Sequence, residues 1–412
     1  MRSLTERYRR VRAESRAIAS LLTPEDCAAQ SMADASPVKW HLAHTTWFFE
    51  TFLLEPNAPD YRPCRDEFRV LFNSYYNSVG DQYPRPERGL LTRPSLLEVL
   101  DYRDHVDVSV LVLLERGATS DVETVLRLGL EHERQHQELM LTDVQHLLHQ
   151  NPLRPAYCAA DERPSGMDKP MGWYEAQPGL VEIGADGSDF SFDNEQSRHR
   201  VWVEPFKLAT RLVTNADYLG FIEDRGYSRP ELWLSDGWAW ARAESRRAPL
   251  YWEEVDQRWT RFTLSGMTEL ALHEPLSHVS YYEADAYARW AAARLPTETE
   301  WESVAAQVPL SGNFYRGGSA QPRPLTVETP ELPAQLFGDL WEWTSSAYAP
   351  YPGFTPQAGA FGEYNGKFMA NQMVLRGGSC ATSEDHIRVS YRNFFYPEAQ
   401  WQFSGIRLAR DA

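Results

Sequence analysis

His132 and His136 stand four residues apart in EHERQHQE, so on a helix both imidazoles lie on one face, one turn from each other. That spacing suits two ligands of a single metal ion. The face also carries Leu128 and Leu139, which makes it the core-facing one. Two rings buried together need satisfying, and either a metal or a set of hydrogen bonds would do it. A third imidazole is available upstream in WHLAHTTWFFE, where His44 follows Trp40 by four residues and precedes Trp47 by three, on an aromatic stripe. His41 is the neighbouring candidate, one turn earlier and about 60° round the helix. Three histidines without a carboxylate would leave open positions for substrate and oxygen on a redox metal. The same letters admit a rival chemistry. His132-Glu133-x-x-His136 is the H-E-x-x-H pattern of zinc hydrolases, with Glu133 as general base. The next acid, Glu138, is badly placed to complete that zinc shell, because it lies about 200° round the helix from His136.

The elements that must hold these residues show in the hydrophobic pattern. Through residue 150 the chain reads as four long amphipathic helices. The first has Leu4, Tyr8, Val11, Ile18 and Leu22 on one face, and the second opens with Ser36 as N-cap and Pro37 in its first turn. A Ser95/Glu98 capping box opens the third, and the histidine pair sits on the fourth. Four such helices predict a bundle, and facing helices of bundles commonly build metal sites from inward-pointing side chains. The connection from about Pro56 to Pro94 is long, which often means that it carries function. Residues 151–172 are rich in proline and small polar residues and read as a linker. Beyond it, short β-like stretches (LVEIG, HRVWVEPFKLA, MVLRGG, GIRLA) are interrupted by two helical ones, NADYLGFIEDRGY and SYYEADAYARWAAARLP. That is an α+β domain rich in irregular loops.

The length of 412 residues and the 42% hydrophobic content suit two domains with sizeable cores. With 58 acidic against 41 basic residues, the net charge of −17 repels phosphate backbones and argues against nucleic-acid binding. No apolar run approaches the length of a membrane span. Cys27, Cys64, Cys158 and Cys380 show no CxxC spacing and fit reduced thiols in a cytoplasm.

LAHTTWFFE and HERQHQE are followed in order by FDNE (Phe192 to Glu195), VTNADY (Val213 to Tyr218), RLPTETEWE (Arg294 to Glu302), FGDLWEWTSS (Phe337 to Ser346), LRGGS (Leu375 to Ser379) and SGIRLA (Ser404 to Ala409). This series resembles the sulfoxide synthases of ergothioneine biosynthesis over nearly the whole chain. The resemblance implies a DinB-like four-helix bundle over 1–150, a linker over 151–172, and a C-type-lectin-like domain of the formylglycine-generating-enzyme type over 173–412. It further implies a mononuclear non-haem iron(II) held by His44, His132 and His136, with dioxygen as co-substrate. The implied oxidoreductase reaction joins a thiol sulfur to carbon 2 of the imidazole of hercynine, the trimethyl betaine of histidine, and oxidises the sulfur to a sulfoxide. The metal would lower the thiol pKa and hold both reactants close.

Other roles follow from the same resemblance. Gln135 matches a residue that hydrogen-bonds the hercynine imidazole, and Asn393 and Phe394, in YRNFFYP, match positions lining the hercynine pocket. Phe394, Phe395 and Tyr396 would offer aromatic faces to the trimethylammonium group. The pocket is therefore expected between the two domains. Users of γ-glutamylcysteine have Trp-Asp where this chain has Phe394-Phe395, and the cysteine-using group has Phe-Phe. That group also has a tyrosine pair matched by Tyr75-Tyr76, one of which would be a proton or hydrogen-atom donor, and arginines matched by Arg85 and Arg88 that hold the cysteine carboxylate. The expected substrates are hercynine and cysteine. Selenoneine synthase, which joins hercynine to a selenosugar, shares the histidines and stands as the alternative, with the zinc hydrolase and a non-enzymatic lectin-like binding module further off. The stretch SEDHIRVSYRN lacks the copper-binding cysteines of formylglycine-generating enzymes, and the chain stops at Ala412, where ovothiol synthases would add a methyltransferase.

Overall fold

Two compact units divide the chain: Met1–Tyr157 with Gln357–Tyr364, and Cys158–Pro356 with Asn365–Ala412. The structure is a computed structural model that describes residues 4–161, 166, 169–326, 332–357 and 359–412. Residues 162–165, 167 and 168 of the predicted linker lie outside the described residues.

The first unit is built on four long helices, α1 (Leu4–Ala19), α2 (Val38–Phe49), α3 (Leu96–Glu115) and α4 (Ser120–Gln150). α2 packs against α1, α3 and α4, and all of its residues are buried, as expected for a helix that is apolar nearly all round. It runs on as a π-helical turn, Glu50–Leu54. There the buried Glu50 carboxylate accepts hydrogen bonds from Tyr102 Oη (2.5 Å), Tyr61 Oη (2.6 Å) and the Cys64 N–H (3.2 Å). These bonds tie the start of the long connection to α3. The Ser95/Glu98 capping box opens α3 as its pattern predicts.

The cap of α2 differs from the reading of Ser36. Pro37 occupies the N-cap position without a side-chain bond. Ser36 instead gives its N–H to Asp143 Oδ2 (2.9 Å), and its Oγ accepts from Arg88 Nη1 (2.9 Å). Two buried charged groups claim the polar atoms that the helix would otherwise have used.

The described residues of the second unit form four small sheets. β1 (Trp173–Ala176), β4 (Phe206–Ala209) and β12 (Ala409–Asp411) form one, and the hairpin β2 (Gly179–Ile183) with β3 (His199–Val203) another. β5 (Trp252–Val255), β6 (Arg258–Thr263) and β7 (Gly266–Glu269) form a meander. The fourth has the order β10 (Asn393–Phe395), β9 (Met373–Arg376), β8 (Trp341–Ala347), β11 (Ser404–Gly405). The two predicted helices are α5 (Asn215–Glu223) and α7 (Tyr281–Trp290), joined by α6 (Ser235–Ala243) and α8 (Glu298–Ala305), which were not expected.

Ion pairs with at least one buried partner hold several of the motifs that carry the resemblance. Glu342 of FGDLWEW accepts Arg407 Nε and Nη2 of SGIRLA, both at 2.8 Å, and the Trp301 indole N–H at 2.8 Å. Arg376 of LRGGS pairs with Glu302 of RLPTETEWE, and Glu195 of FDNE with Arg388 (2.7 Å). An ionised group inside a protein persists only where its partners are in place, so these pairs fix how distant segments assemble. No helix among the described residues is long and apolar enough to cross a membrane.

Gly129 lets α4 close on α2: a Cβ there would stand 2.5 Å from a ring carbon of Phe49 and 2.9 Å from one of Phe48. Gly129→Ala should gain about 1 kcal/mol of helix propensity and lose about 1–3 kcal/mol to overpacking. The expected outcome is a lower thermal midpoint, read by circular dichroism. An unchanged or raised midpoint would mean that the two rings yield freely.

Candidate metal centre

α4 brings His132 and His136 to one face, and α2 brings His44 opposite them, so that one nitrogen from each lies within 4.8 Å of the others. The ring centroids are 4.9 Å (His44–His132), 4.8 Å (His44–His136) and 4.5 Å (His132–His136) apart. His44 and His132 are buried and His136 is half-buried. The proton on His44 is placed by the backbone, since its Nδ1 is 2.6 Å from the Phe72 carbonyl oxygen and must donate to it. Nε2 is then a bare lone pair, and it faces His132 Nε2 at 3.2 Å. Two ligands at about 2.1 Å from one ion, meeting it near a right angle, stand about 3 Å apart. His132 Nδ1 is a buried nitrogen with no hydrogen-bond partner among the described residues. Burial pushes the imidazoles toward the neutral, ligating form: His132 down to about 3, and His44 and His136 well below the usual value, with their neighbouring histidines adding to the effect. The donor set fits a metal that prefers imidazole.

His41 is not a member of this cluster. Its Nδ1 is 2.7 Å from His136 Nδ1, and its Nε2 is 3.1 Å from Asp143 Oδ2.

Aromatic rings wall the centre. His44 is sandwiched between Trp40 (4.6 Å, 10°) and Trp47 (5.6 Å, 16°). On the Trp40 face lies the Arg88 guanidinium, 3.4 Å from the ring centroid. Arg88 is buried, donates to Ser36 Oγ, and makes no ion pair with any carboxylate among the described residues. Burial, with the charge of Arg85, lowers it to about 9. Arg85 itself is exposed and donates to the Asp34 carbonyl.

The long connection is ordered by Asn73. Its side-chain amide donates to the carbonyls of Tyr76 (3.0 Å), Gly80 (3.1 Å) and Asp81 (3.3 Å) and accepts the Tyr76 N–H (3.1 Å). Tyr76 is fully buried against Trp47 and Phe52, and Tyr75 stacks on it at 4.7 Å. Burial, then the neighbouring Tyr75 and Tyr364, pushes the Tyr76 phenol well up, so its proton is retained.

The segment Gln357–Tyr364 completes the wall. Phe361 packs on Phe48 and Phe52, and Glu363 accepts the N–H groups of Asn77 (3.0 Å) and Ser78 (2.9 Å), just after the tyrosine pair. Tyr364 donates to Gln135 Oε1 and meets His132 edge-on at 5.7 Å and Tyr75 at 6.3 Å. Neither Glu363 nor Tyr364 was singled out in the sequence. They lie more than 200 residues from the histidine pair, in a stretch without periodicity.

Glu133 removes the zinc-hydrolase reading. Its carboxylate accepts Arg12 Nη1 (2.9 Å), Arg103 Nη2 (2.8 Å) and Ser15 Oγ (2.5 Å), all buried, and faces α1 and α3 rather than the histidines. Burial alone would raise its carboxyl, but Arg12 and Arg103 hold it at about 2. A carboxylate so engaged cannot serve as a general base.

The remaining candidates lie in the second unit. Asn393, Phe394 and Phe395 form β10, paired antiparallel with β9. Phe394 stacks on Tyr348 at 3.9 Å and 9°, and Phe395 meets Trp401 edge-on. Asn393 Oδ1 accepts the Phe394 N–H (2.9 Å).

Residues 7–149 match the DinB superfamily, and residues 172–328 and 333–412 match the sulfatase-modifying factor enzyme 1-like domain. The chain is 34% identical to the hercynine oxygenase of Mycolicibacterium smegmatis over 406 residues, 91% of each chain. It is 32% identical to the hercynine oxygenase of Mycobacterium tuberculosis over 400 residues, again 91% of each. Ergothioneine biosynthesis protein 1 of Schizosaccharomyces pombe is 28% identical over 233 residues, which cover 54% of this chain and 28% of that one.

Because Glu133 pairs with two buried guanidinium groups, Glu133→Ala should destabilise the fold by about 3–5 kcal/mol, measured by urea unfolding. A hydrolase base facing an open site would instead be removed with little loss of stability.

Proposed function

The chain belongs to the hercynine oxygenase family and is an oxygenase; from that premise we propose that it joins the sulfur of free cysteine to carbon 2 of the hercynine imidazole and delivers the sulfoxide. The observation that supports this best is the set of three imidazoles whose nitrogens converge within 4.8 Å, beside a buried guanidinium that makes no ion pair with a carboxylate among the described residues. In the reaction one C–H and one S–H bond are lost and one C–S bond forms. One atom of dioxygen becomes the sulfoxide oxygen and the other leaves as water with the two hydrogens, so the four electrons taken up by dioxygen are those given by the two oxidations.

His44, His132 and His136 would hold an iron(II) ion, which when bound supplies dioxygen activation and a site for the thiolate. Arg88 is pre-placed to receive a carboxylate: its guanidinium is already desolvated and stacked, so little ordering remains when an anion arrives. Arg85 would add its charge from the exposed side. Tyr76 keeps its proton in a dry aromatic wall, and Tyr75 stacks on it, which suits the pair to hold a proton for delivery. Gln135 is held by Tyr364 and would hydrogen-bond the hercynine imidazole, while Asn393 and Phe394 of the second unit would line the hercynine pocket, with Phe395 offering a further aromatic face. The four cysteines are all free, which supports a reducing cytoplasm as the setting.

The test is aerobic turnover of protein loaded with iron(II) under anaerobic conditions, given hercynine with cysteine or γ-glutamylcysteine, products read by mass spectrometry. A hercynylcysteine sulfoxide formed only with cysteine is the expected result, and an adduct only with γ-glutamylcysteine would overturn the substrate assignment. His136→Ala should lose both bound iron and turnover.

Arg88→Met separates binding from folding. It should raise the KM for cysteine about 10–100-fold, the size of a lost charge-assisted contact. Stability should be unchanged or improved, since a buried unpaired charge is replaced by an apolar chain. A normal KM would exclude Arg88 from carboxylate binding.

A further inference from the structure

His41 and Asp143 lie outside the histidine cluster, yet both are more than nine-tenths buried, at 3% and 6% exposed. They form a linear chain with one of its members. Asp143 Oδ2 accepts the Ser36 N–H (2.9 Å) and stands 3.1 Å from His41 Nε2, and His41 Nδ1 stands 2.7 Å from His136 Nδ1. We infer that His41 and Asp143 form a relay behind the metal centre, in which His41 is a positioning residue that fixes the tautomer and ring orientation of His136. The inference rests on the proposed metal centre and deepens it.

The direction of the relay follows from what each atom can do. A carboxylate only accepts, so the hydrogen between Asp143 and His41 belongs to His41 Nε2. Neutral imidazole carries one N–H, so His41 Nδ1 is then an acceptor. The short contact to His136 Nδ1 needs one hydrogen, which must therefore be on His136. His136 Nε2 is left as the bare nitrogen, which is the ligating form. Metal-bound histidines generally donate their second N–H to a carboxylate or carbonyl, and that partner sets tautomer and orientation. The three histidines here differ in this respect. His44 Nδ1 has the Phe72 carbonyl, His136 Nδ1 has the His41–Asp143 pair, and His132 Nδ1 has no partner among the described residues.

Two substitutions dissect the relay. The amide oxygen of Asn in place of His41 falls near the position of Nδ1 and can still accept from His136. The longer Gln places its amide near Nε2, where it keeps the Asp143 contact and loses the acceptor. His41→Phe keeps a ring and loses both. The measurement is titration of the metal-free full-length chain with Co(II) under anaerobic conditions, following the visible d–d bands, on the wild type, His44→Ala and the three His41 variants, each checked for its melting temperature without metal.

Wild type should bind one Co(II) per chain and His44→Ala should not. His41→Gln and His41→Phe should lose about 10–100-fold in Co(II) affinity with shifted d–d bands, the range seen when the partner of a ligating histidine is removed. His41→Asn should recover most of that affinity and the wild-type spectrum. Wild-type affinity and spectrum in His41→Gln and His41→Phe, whatever their melting temperatures, would overturn the relay while leaving the metal centre standing. A wild type that takes up no Co(II), or a His44→Ala variant that binds it equally well, would overturn the metal reading and the relay with it.

Discussion

The placement of the histidine pair depends on one buried carboxylate. Glu133 sits between His132 and His136 on α4, on a face turned about 100° from His132. An ionised carboxylate inside the protein is tolerable only with full pairing. Glu133 obtains it from Arg12 and Ser15 on α1 and from Arg103 on α3, and the same two arginines reach Thr46 on α2. All four long helices of the first unit therefore have a stake in one side chain. Rolling α4 by even one residue position would strand the charge, so the roll that satisfies Glu133 also aims His132 and His136 at α2. A charge costly to bury makes a good orienting device, because alternative rotations are penalised far more than a slip between apolar faces would be.

The long connection applies the same logic with backbone groups. It has little regular structure, and its order comes from side chains that take up its carbonyls and N–H groups. Trp40 Nε1 binds the Leu71 carbonyl, His44 Nδ1 the Phe72 carbonyl, and Lys39 Nζ the Leu91 carbonyl. Asn73 closes the turn that carries Tyr75 and Tyr76, and Glu363 holds the two peptide N–H groups after it. α2 thus carries His44 and serves as template for the loop. The bond that orders Phe72 is also the bond that fixes the proton on His44, so loop order and the tautomer of His44 are linked through one hydrogen.

Legibility in the sequence followed the range of the interaction. The four long helices and the capping box at Ser95 were readable because period and caps are local. The two histidines four apart were readable for the same reason, and adding His44 needed only the expectation that bundle helices face each other. The role of Glu133 was not readable, because Arg12 and Arg103 are 121 and 30 residues away and the letters H-E-x-x-H fit two chemistries equally. Ser36 was misread for a related reason: a cap is a local inference, and it lost to contacts with Arg88 and Asp143, 52 and 107 residues distant. α8 carries a capping box, Thr297 with Glu300, that pattern reading alone had the means to find. Tyr364 and Glu363 offered no signal, since nothing local says that Gln357–Tyr364 belongs with the first unit.

Charge balance links the histidines to the arginine. Three neutral imidazoles bring no negative charge to the centre, and Arg88 adds a positive one nearby, so a divalent ion there would leave the region strongly cationic. Asp143 is the anion that acts on Arg88 from within the fold, and it reaches the same Ser36 that Arg88 does. In a poorly screened interior the remaining imbalance favours ligands that arrive as anions. On the proposed reading, cysteine supplies two such groups, a thiolate and a carboxylate, at the short spacing of one amino acid. A carboxylate ligand from the protein would have spent that balance in advance; on the same reading, three imidazoles beside a guanidinium with no carboxylate ion pair among the described residues would leave it to the substrate.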